Sequence, residues 1–373
     1  MRIGISLLCA KRERTGIENV TFNLIHALAS IDDKNEYVIF TNGQSHDGFS
    51  LPEDRFDVIK VELSFQRCVW LWEHLFFHFD PRRKGLDLVH FPLVGGVIGY
   101  RGQNVVTVHD LNDYGGRYDV KLRQRLLCVA WYKTNIPRAN IVVTVSEEVR
   151  SQILKHFDVS PDRVRVVYNG VDERFKLLAK SALFNASYDL PSEYILFVGT
   201  SYGNKNIRRM IEAFCMARQE RRFDHHLVIA GAPGNETPSL KAFVVKNGLG
   251  SIVHFAGYFP NQDLPKLYNH ASLFVFPPLS EGFGLPPLEA MACGTPVVAS
   301  EIPALREVLG ESALFVDPYS VQNMAEGIAR VVDDASVREA LIKKGFERAG
   351  RFSWKKMATD MLKIYEEAAA RNH

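Results

Sequence analysis

Two glutamates that could bind a ligand, Glu281 and Glu289, stand eight positions apart in the stretch LSEGFGLPPLEAMACGTPVVAS, residues 279–300. The loop between them consists of Gly282, Phe283, Gly284 and Leu285. Glycines let successive backbone N–H groups point to one side, and such groups bind phosphate. A carboxylate can instead accept hydrogen bonds from sugar hydroxyls. The stretch therefore contains the parts needed to hold a sugar joined through a diphosphate to a nucleoside.

A helix is predicted to follow this loop, from about Pro287 to Cys293, with Gly294 past its end. Its N-terminus would carry roughly half a positive charge and attract phosphate. Glu289 is then expected in the first turn, where its carboxylate could accept from the vicinal hydroxyls of a ribose. Glu281 could accept from a sugar hydroxyl. In the simpler alternative, Glu289 stabilises the helix dipole by ~0.3–1 kcal/mol and Glu281 is a solvated loop residue.

The elements that must position these residues are short runs rich in Val and Ile, which alternate with longer amphipathic segments. Such runs are typical of a parallel sheet covered by helices on both faces. The first predicted strands are 3–8, 37–41, 88–91, 105–109, 141–145 and 164–168. After a stretch without clear periodicity, a second set follows at 194–198, 227–230, 252–255, 273–276, 297–300 and 313–316. The pattern predicts an α/β fold of two doubly wound halves, with ligands at the carboxyl ends of the strands.

Composition agrees with a two-domain globular protein. The 373 residues exceed the ~250–300 at which a single hydrophobic core stops growing. Lys and Arg number 45 against 43 Asp and Glu, a net charge of +2 that does not favour a nucleic-acid partner. The five cysteines form no C-x-x-C pair, which indicates a reducing compartment. The apolar run at 3–10 is too short for a signal peptide, so a cytoplasmic location is expected.

Common cofactor motifs are absent from the sequence. Neither the dinucleotide fingerprint G-x-G-x-x-G nor the P-loop G-x-x-x-x-G-K-[ST] is present. We therefore expect no cofactor, with a nucleotide-diphosphate sugar entering as a substrate.

Five sequence motifs follow one another along the chain, and their order and spacing make a chance agreement improbable. They are TVHDL, VVYNGVD, YILFVGTSYGNKNIRRMIEAF, LVIAGAPG and EGFGLPPLEAMACGTPVVAS. Over essentially its whole length the chain resembles the retaining, family 4 glycosyltransferases of the GT-B fold, of the bacterial polysaccharide and lipopolysaccharide type. The resemblance implies two Rossmann-like domains facing across a cleft. It divides the chain into an acceptor-side domain, 1–175, a nucleotide-sugar-binding domain, 176–355, and a helix, 356–373, that crosses back to the first domain.

The resemblance also implies roles for residues of the second domain. Glu281 would bind hydroxyls of the donor sugar, Glu289 the ribose, and Lys205 the diphosphate, whose charge grows as it leaves. Thr200 stands near the position where relatives often have an arginine, so this chain departs from the family's phosphate clamp. Arg208 or Arg209 could substitute for that arginine, the alternative being that both are solvated residues of a helix. The nucleotide base would lie near Gly257 and Tyr258, where contacts come largely from backbone atoms.

Two residues of the first domain match family positions. Gly16 would belong to a glycine-rich loop facing the diphosphate, although relatives often have two glycines there, and a simple strand-to-helix turn is the alternative. His109 ends a predicted strand and would contact the donor sugar, the alternative being a hydrogen-bonded core histidine. Ser146 also follows a strand, but it is better explained as a helix N-cap.

The activity implied is transfer of a hexose with retention, from a donor of the GDP-mannose or UDP-glucose type to a glycan or lipid-linked oligosaccharide. No D-x-D pair is present, so no metal is expected. A front-face substitution would let the leaving phosphate accept the acceptor's proton. A nucleotide-sugar epimerase or hydrolase on the same fold is one alternative. A catalytically inactive binding module is another, although the presence of Lys205, Glu281 and Glu289 argues against it.

Segments 65–85 and 116–138 combine aromatic and basic residues. Segments of this composition can lie in a membrane interface, which would suit a lipid-linked acceptor and peripheral contact with the cytoplasmic membrane. The alternative is that the aromatic side chains pack in the core of the protein.

Overall fold

The chain forms two compact units, which are described separately. The first unit consists of Met1–Tyr114, Lys121–Gly170 and Ser353–His373, and the second is made mostly of Val171–Phe352. The structure is a computed structural model that describes residues 1–8, 16–42, 51–52, 54–61, 84–93, 100, 102–115, 122–179 and 181–371.

The first unit is built on a parallel sheet whose described strands are seven in number. They are β1 Arg2–Leu7, β2 Glu36–Thr41, β3 Phe56–Lys60, β4 Leu88–Phe91, β5 Gln103–Val108, β6 Ile141–Thr144 and β7 Val164–Val166. Their order is β3-β2-β1-β4-β5-β6-β7. Six of these strands are predicted by the sequence to within two residues at each end. The exception is β3, a half-exposed edge strand that carries charged residues and so lacks a continuous apolar run.

The second unit contains another parallel sheet, with six described strands in the order β10-β9-β8-β11-β12-β13. They are β8 Tyr194–Val198, β9 His226–Ala230, β10 Val253–Gly257, β11 Leu273–Phe276, β12 Val297–Ser300 and β13 Leu314–Val316. All six were predicted to within two residues, because most of their side chains are buried and the runs are almost continuously apolar. The strand order reverses between β8 and β11, and ligands of open α/β sheets bind at such a switch point.

Helices connect the strands. They are α1 Gly16–Ile31, α2 Asn112–Gly115, α3 Leu122–Asn135, α4 Glu147–His156, α5 Ala182–Ser187, α6 Ile207–Arg221, α7 Thr237–Lys246, α8 Leu264–His270, α9 Leu285–Ala292, α10 Pro303–Leu309, α11 Val321–Asp333, α12 Ala335–Ala349 and α13 Trp354–Ala370. Ser146 caps α4, as predicted, because its hydroxyl accepts from the Val149 N–H at 3.3 Å. Within the described part of the chain, no helix is long and apolar enough to cross a membrane.

The last helix, α13, belongs to the first unit although it follows the second unit in sequence. It packs against α1, and its Tyr365 is fully buried with the hydroxyl 2.8 Å from Nδ1 of His90. Glu367 pairs with Arg165 of β7 at 2.7 Å. Burial, a buried hydrogen bond and an ion pair thus hold this helix on the first sheet.

Candidate functional site

Lys205 and Glu281 meet at the switch point of the second sheet. Lys205 follows β8 and Glu281 follows β11, the two neighbouring strands on either side of the reversal. Their side chains form an ion pair, with Nζ and Oε2 2.7 Å apart and exposed fractions of 17% and 19%. The Lys205 ammonium also lies 5.3 Å from the centre of the Phe276 ring. The structure therefore brings together the two charged residues to which the family resemblance assigned the diphosphate and the donor sugar.

Two buried asparagines tie the loop of Lys205 to the loop of Glu281. The backbone carbonyl of Asn204 accepts from the Leu279 N–H at 2.7 Å, and its side-chain amide donates to Ser280 O at 3.3 Å. Asn206 adopts a left-handed conformation, with φ of 58°, and its amide donates to Pro277 O at 3.1 Å. Sequence analysis did not identify these residues. The sequence feature that could have identified them is the pair of asparagines on either side of the lysine in GNKN, since asparagine tolerates positive φ.

The glycine-rich loop after Glu281 leads into α9 earlier than predicted. Gly284 has a φ of +90°, and a Cβ at this position would lie 2.5 Å from Leu305 Cδ2. The helix then begins at Leu285, two residues before the predicted start. Glu289 consequently lies in the second turn, and the prediction that it stands in the first turn was wrong. The dipole effect falls off within the first turn, so it does not account for this carboxylate.

Glu289 lies in a protein environment that disfavours its charge. Burial raises the pKa of this carboxyl to about 7, against the lowering effects of the Tyr268 hydroxyl and the nearby Arg174. The Tyr268 hydroxyl donates to Oε2 at 2.9 Å. Tyr268 itself is fully buried, and its pKa is raised well above the usual value, chiefly by burial. The second carboxylate of the pair is thus held by a neutral hydroxyl, whereas Glu281 is held by a cation.

The other predicted residues of the second unit lie at the carboxyl ends of its strands, in the loop before α9, or, for Leu285, at the first position of α9. Thr200 is half-buried after β8. Gly257 ends β10 with a φ of +74°, a conformation that favours glycine, and the Tyr258 side chain beside it is 60% exposed. Gly282 and Phe283 are buried, and Leu285 is half-buried.

A second glycine pair, which sequence analysis did not single out, shapes the same edge of the sheet. A Cβ on Gly231, after β9, would lie 2.2 Å from the carbonyl oxygen of Gly199, and one on Gly234 would lie 2.3 Å from that of Ser201. Gly231 N–H also donates to Gly257 O at 2.7 Å. Only glycine allows the loops after β8, β9 and β10 to approach this closely. The sequence feature that could have identified this pair is two glycines within four residues of the end of a strand, in LVIAGAPG.

Of the two predicted residues of the first unit, one begins a helix and the other directly follows a strand. Gly16 is the first residue of α1, exposed, and a Cβ there would meet nothing within 4 Å. His109 follows β5 and is half-buried, and its Nε2 lies 2.9 Å from Pro92 O. Burial lowers the pKa of His109 to about 4, so the ring is neutral near pH 7 and acts as a hydrogen-bonding group.

The two aromatic and basic segments are described only in part. Residues 65–83 and 116–121 lie outside the described residues. In α3, which falls within 116–138, Leu126 and Leu127 are 60% and 54% exposed, whereas Trp131 and Tyr132 are half-buried. A search of the described residues for three or more His, Cys, Asp or Glu side chains able to hold a metal finds no such group.

Two doubly wound parallel sheets, one with a lysine–glutamate pair at its switch point, together with the matches that follow, give the chain the GT-B fold of glycosyltransferases. Residues 184–348 match the family described as glycosyl transferases group 1, and residues 14–175 match glycosyltransferase family 4. The chain belongs to this family of group 1 glycosyltransferases.

Similar proteins agree with this assignment. O-antigen chain mannosyltransferase B of Escherichia coli is 32% identical over 370 residues, covering 94% of this chain and 96% of that protein. O-antigen chain mannosyltransferase RfbU of Salmonella typhimurium is 30% identical over 226 residues, covering 61% and 60%. The fold of sucrose-phosphate synthase from Thermosynechococcus elongatus matches with a TM-score of 0.79 at 21% identity, covering 100% of both chains. These comparisons give no support to the epimerase or hydrolase alternative.

Proposed function

We propose that this chain is a retaining hexosyltransferase of bacterial polysaccharide synthesis, which moves mannose from a nucleotide-activated donor to a glycan or lipid-linked oligosaccharide. Of the two donor types expected from the sequence, GDP-mannose is favoured over UDP-glucose, because the two similar proteins described above are both named O-antigen mannosyltransferases. Their names also favour an acceptor in the O-antigen or lipopolysaccharide class.

The observation that carries this proposal is the ion pair of Lys205 and Glu281 at the switch point. A donor diphosphate would accept hydrogen bonds from the Lys205 ammonium and from backbone N–H groups of the loop before α9. Glu281 would fix the ammonium through one oxygen and accept from hydroxyls of the sugar. Glu289 would accept from the ribose hydroxyls. Because the ammonium is already held by Glu281, little side-chain entropy remains to be lost when the diphosphate binds.

The reaction proposed is a front-face substitution. The bond from the anomeric carbon to the diphosphate breaks, the acceptor oxygen bonds to the same face of that carbon, and the acceptor's proton passes to the leaving phosphate oxygen. Lys205 stabilises the negative charge that grows on the diphosphate, which is the kind of interaction that contributes most to catalysis. Neither glutamate acts as a nucleophile. His109 of the first unit stays a predicted contact of the donor sugar, as a neutral hydrogen-bonding group.

No metal is required in this proposal, because Lys205 and the backbone N–H groups supply the positive charge that the diphosphate needs. Purified protein would be incubated with radiolabelled GDP-mannose or UDP-glucose, a lipid-linked acceptor and EDTA, and the product's anomeric configuration determined by NMR. We expect EDTA-resistant transfer from GDP-mannose with the α-configuration kept. Release of free sugar without an acceptor, or a β-linked product, would overturn the proposal.

Two variants test whether the transferase activity depends on the site at the switch point. Glu281→Gln removes the negative charge beside Lys205 and should lower kcat/KM by about 10²–10³, the usual loss for one electrostatic contact in an active site. Glu212→Gln removes an exposed ion pair with Arg208 on α6 and should leave kcat/KM unchanged.

Peripheral contact with a membrane is a further part of the proposal. The exposed Leu126 and Leu127 lie on α3, and residues 122–138 include four basic residues and no acidic ones. Exposed leucines on a basic segment suit the surface of an anionic bilayer. Such contact would bring the first unit to a lipid-linked acceptor.

A further inference from the structure

We propose that Tyr268 is a positioning residue, which aims the carboxylate of Glu289 so that its second oxygen is presented to the ribose. This inference rests on the proposed function, since it assumes that Glu289 receives the ribose hydroxyls. Tyr268 does not itself touch the donor in this account. It acts through Glu289 alone.

The geometry gives Glu289 one occupied and one available oxygen. The Tyr268 hydroxyl donates to Oε2 at 2.9 Å. Among the described residues, the hydrogen bonds include none to Oε1. A carboxylate rotates freely about its last bond unless one oxygen is fixed, and a single fixed oxygen sets the direction of the other. The hydrogen bond from Tyr268 therefore determines where Oε1 can accept.

Tyr268 can serve as a fixed point because it is held at both ends. Its ring packs edge-on against Phe175 and Phe274, with centroid distances of 5.9 and 5.4 Å. The Thr295 hydroxyl donates to the backbone carbonyl of Tyr268 at 2.7 Å. The side chain is fully buried. Burial and these contacts restrict the ring, so its hydroxyl is a well-fixed donor from α8 to a residue of α9.

The same hydroxyl also keeps the carboxyl able to accept. Burial disfavours the ionised form of Glu289, and the hydrogen bond from Tyr268 opposes this effect. Without the hydroxyl, the carboxyl would be protonated over a wider pH range and would be free to rotate. Both changes weaken its preference for a vicinal diol, whereas neither changes the binding of the diphosphate.

The experiment compares a ribonucleotide with its 2′-deoxy analogue, because only the ribonucleotide offers the diol. The dissociation constants of GDP and 2′-deoxy-GDP are measured by calorimetry at pH 7.5, with UDP and 2′-deoxy-UDP alongside. We expect the wild type to prefer the ribonucleotide by about 10-fold or more, as for a hydrogen bond to a charged group. Tyr268→Phe should reduce this preference to about twofold, with the affinity for the deoxynucleotide nearly unchanged.

Tyr194→Phe is the matched control. Tyr194 is equally buried in the second unit, but its hydroxyl donates to the backbone carbonyl of Leu267 at 2.8 Å and not to Glu289. This variant should keep the full preference for the ribonucleotide. If Tyr268→Phe does not fold, Thr295→Val decides. It removes one of the two hydrogen bonds to the Tyr268 carbonyl, the other coming from the Ala271 N–H, and should reduce the preference by about two- to threefold.

The outcomes separate this inference from the proposed function. A wild type that binds GDP or UDP without distinguishing the deoxy analogue, or a Glu289→Gln variant that keeps the preference, overturns the ribose role of Glu289 and with it the role of Tyr268. Suppose that Glu289→Gln loses the preference for the ribonucleotide but Tyr268→Phe keeps it fully. That result overturns the positioning role of Tyr268 alone. If Tyr268→Phe does not fold, a preference fully kept in Thr295→Val has the same meaning.

Discussion

At the scale of single residues, the two glutamates differ in how the protein holds them. Glu281 is paired with the Lys205 ammonium, whereas Glu289 accepts from the Tyr268 hydroxyl in a buried environment. An ammonium favours the ionised carboxylate through its opposite charge, while a neutral hydroxyl compensates only part of the cost of burial. In the sequence, nothing in the motif shows that the surroundings of the two glutamates differ. Their different surroundings come from residues up to 76 positions away, which no local pattern reveals.

The raised pKa of Glu289 predicts a dependence of stability on pH. Its folded-state pKa of about 7 lies above the usual 4.5, so the folded protein binds this proton more tightly than the unfolded chain does. The resulting stabilisation is complete below the unfolded pKa and is lost as pH rises through the folded pKa. From pH 5 to pH 8, the wild type should lose about 1–3 kcal/mol of unfolding free energy relative to Glu289→Gln.

Urea unfolding of both proteins at pH 5, 6, 7 and 8 measures this difference. Taking the difference between the two proteins cancels the titration of every other group. If the unfolding free energies of wild type and variant change in parallel with pH, Glu289 has an ordinary pKa in the folded protein.

At the scale of the elements, the close approach of three loops after β8, β9 and β10 depends on Gly231. Replacing it with alanine places a Cβ 2.2 Å from the Gly199 carbonyl oxygen. We expect Gly231→Ala to cost about 2–4 kcal/mol of unfolding free energy, because the obstacle is backbone and cannot rotate away. Gly250→Ala is the control, since a Cβ there meets nothing within 4 Å. Chemical denaturation that finds equal stability for the two variants would contradict the close approach.

The proposed membrane contact depends on helix α3. Replacing the exposed Leu126 and Leu127 with glutamine should lower binding to phosphatidylglycerol-containing vesicles by about 10-fold or more, since burying each leucine contributes about 1.5–3 kcal/mol. Val245→Gln tests specificity, because Val245 is 77% exposed but lies on α7 of the second unit. Vesicle co-sedimentation measures the binding of the double variant and of Val245→Gln. Wild-type binding that the double variant retains would show that α3 is not the contact.

At the scale of the whole molecule, the sheets were predictable and the loops that build the site only partly so. Buried parallel strands appear as apolar runs, which is why twelve of the thirteen described strands were predicted to within two residues. Among these described strands, the one missed is the half-exposed edge strand β3. The start of α9 was misplaced because Gly284 was not recognised as the residue before the helix, where its positive φ starts the first turn. Asn204 and Asn206 were missed because they act through contacts with a loop more than 70 residues away.

The second unit is proposed to bind a nucleotide diphosphate sugar through Lys205. Calorimetry of GDP-mannose in the presence of EDTA tests it most directly. Lys205→Gln should weaken binding by about 10- to 100-fold, as expected for loss of a hydrogen bond to a charged group. Arg208→Gln, which changes a more exposed cation three residues along the chain, should stay within about twofold of the wild type. A Lys205→Gln protein that binds GDP-mannose as tightly as the wild type would contradict the account.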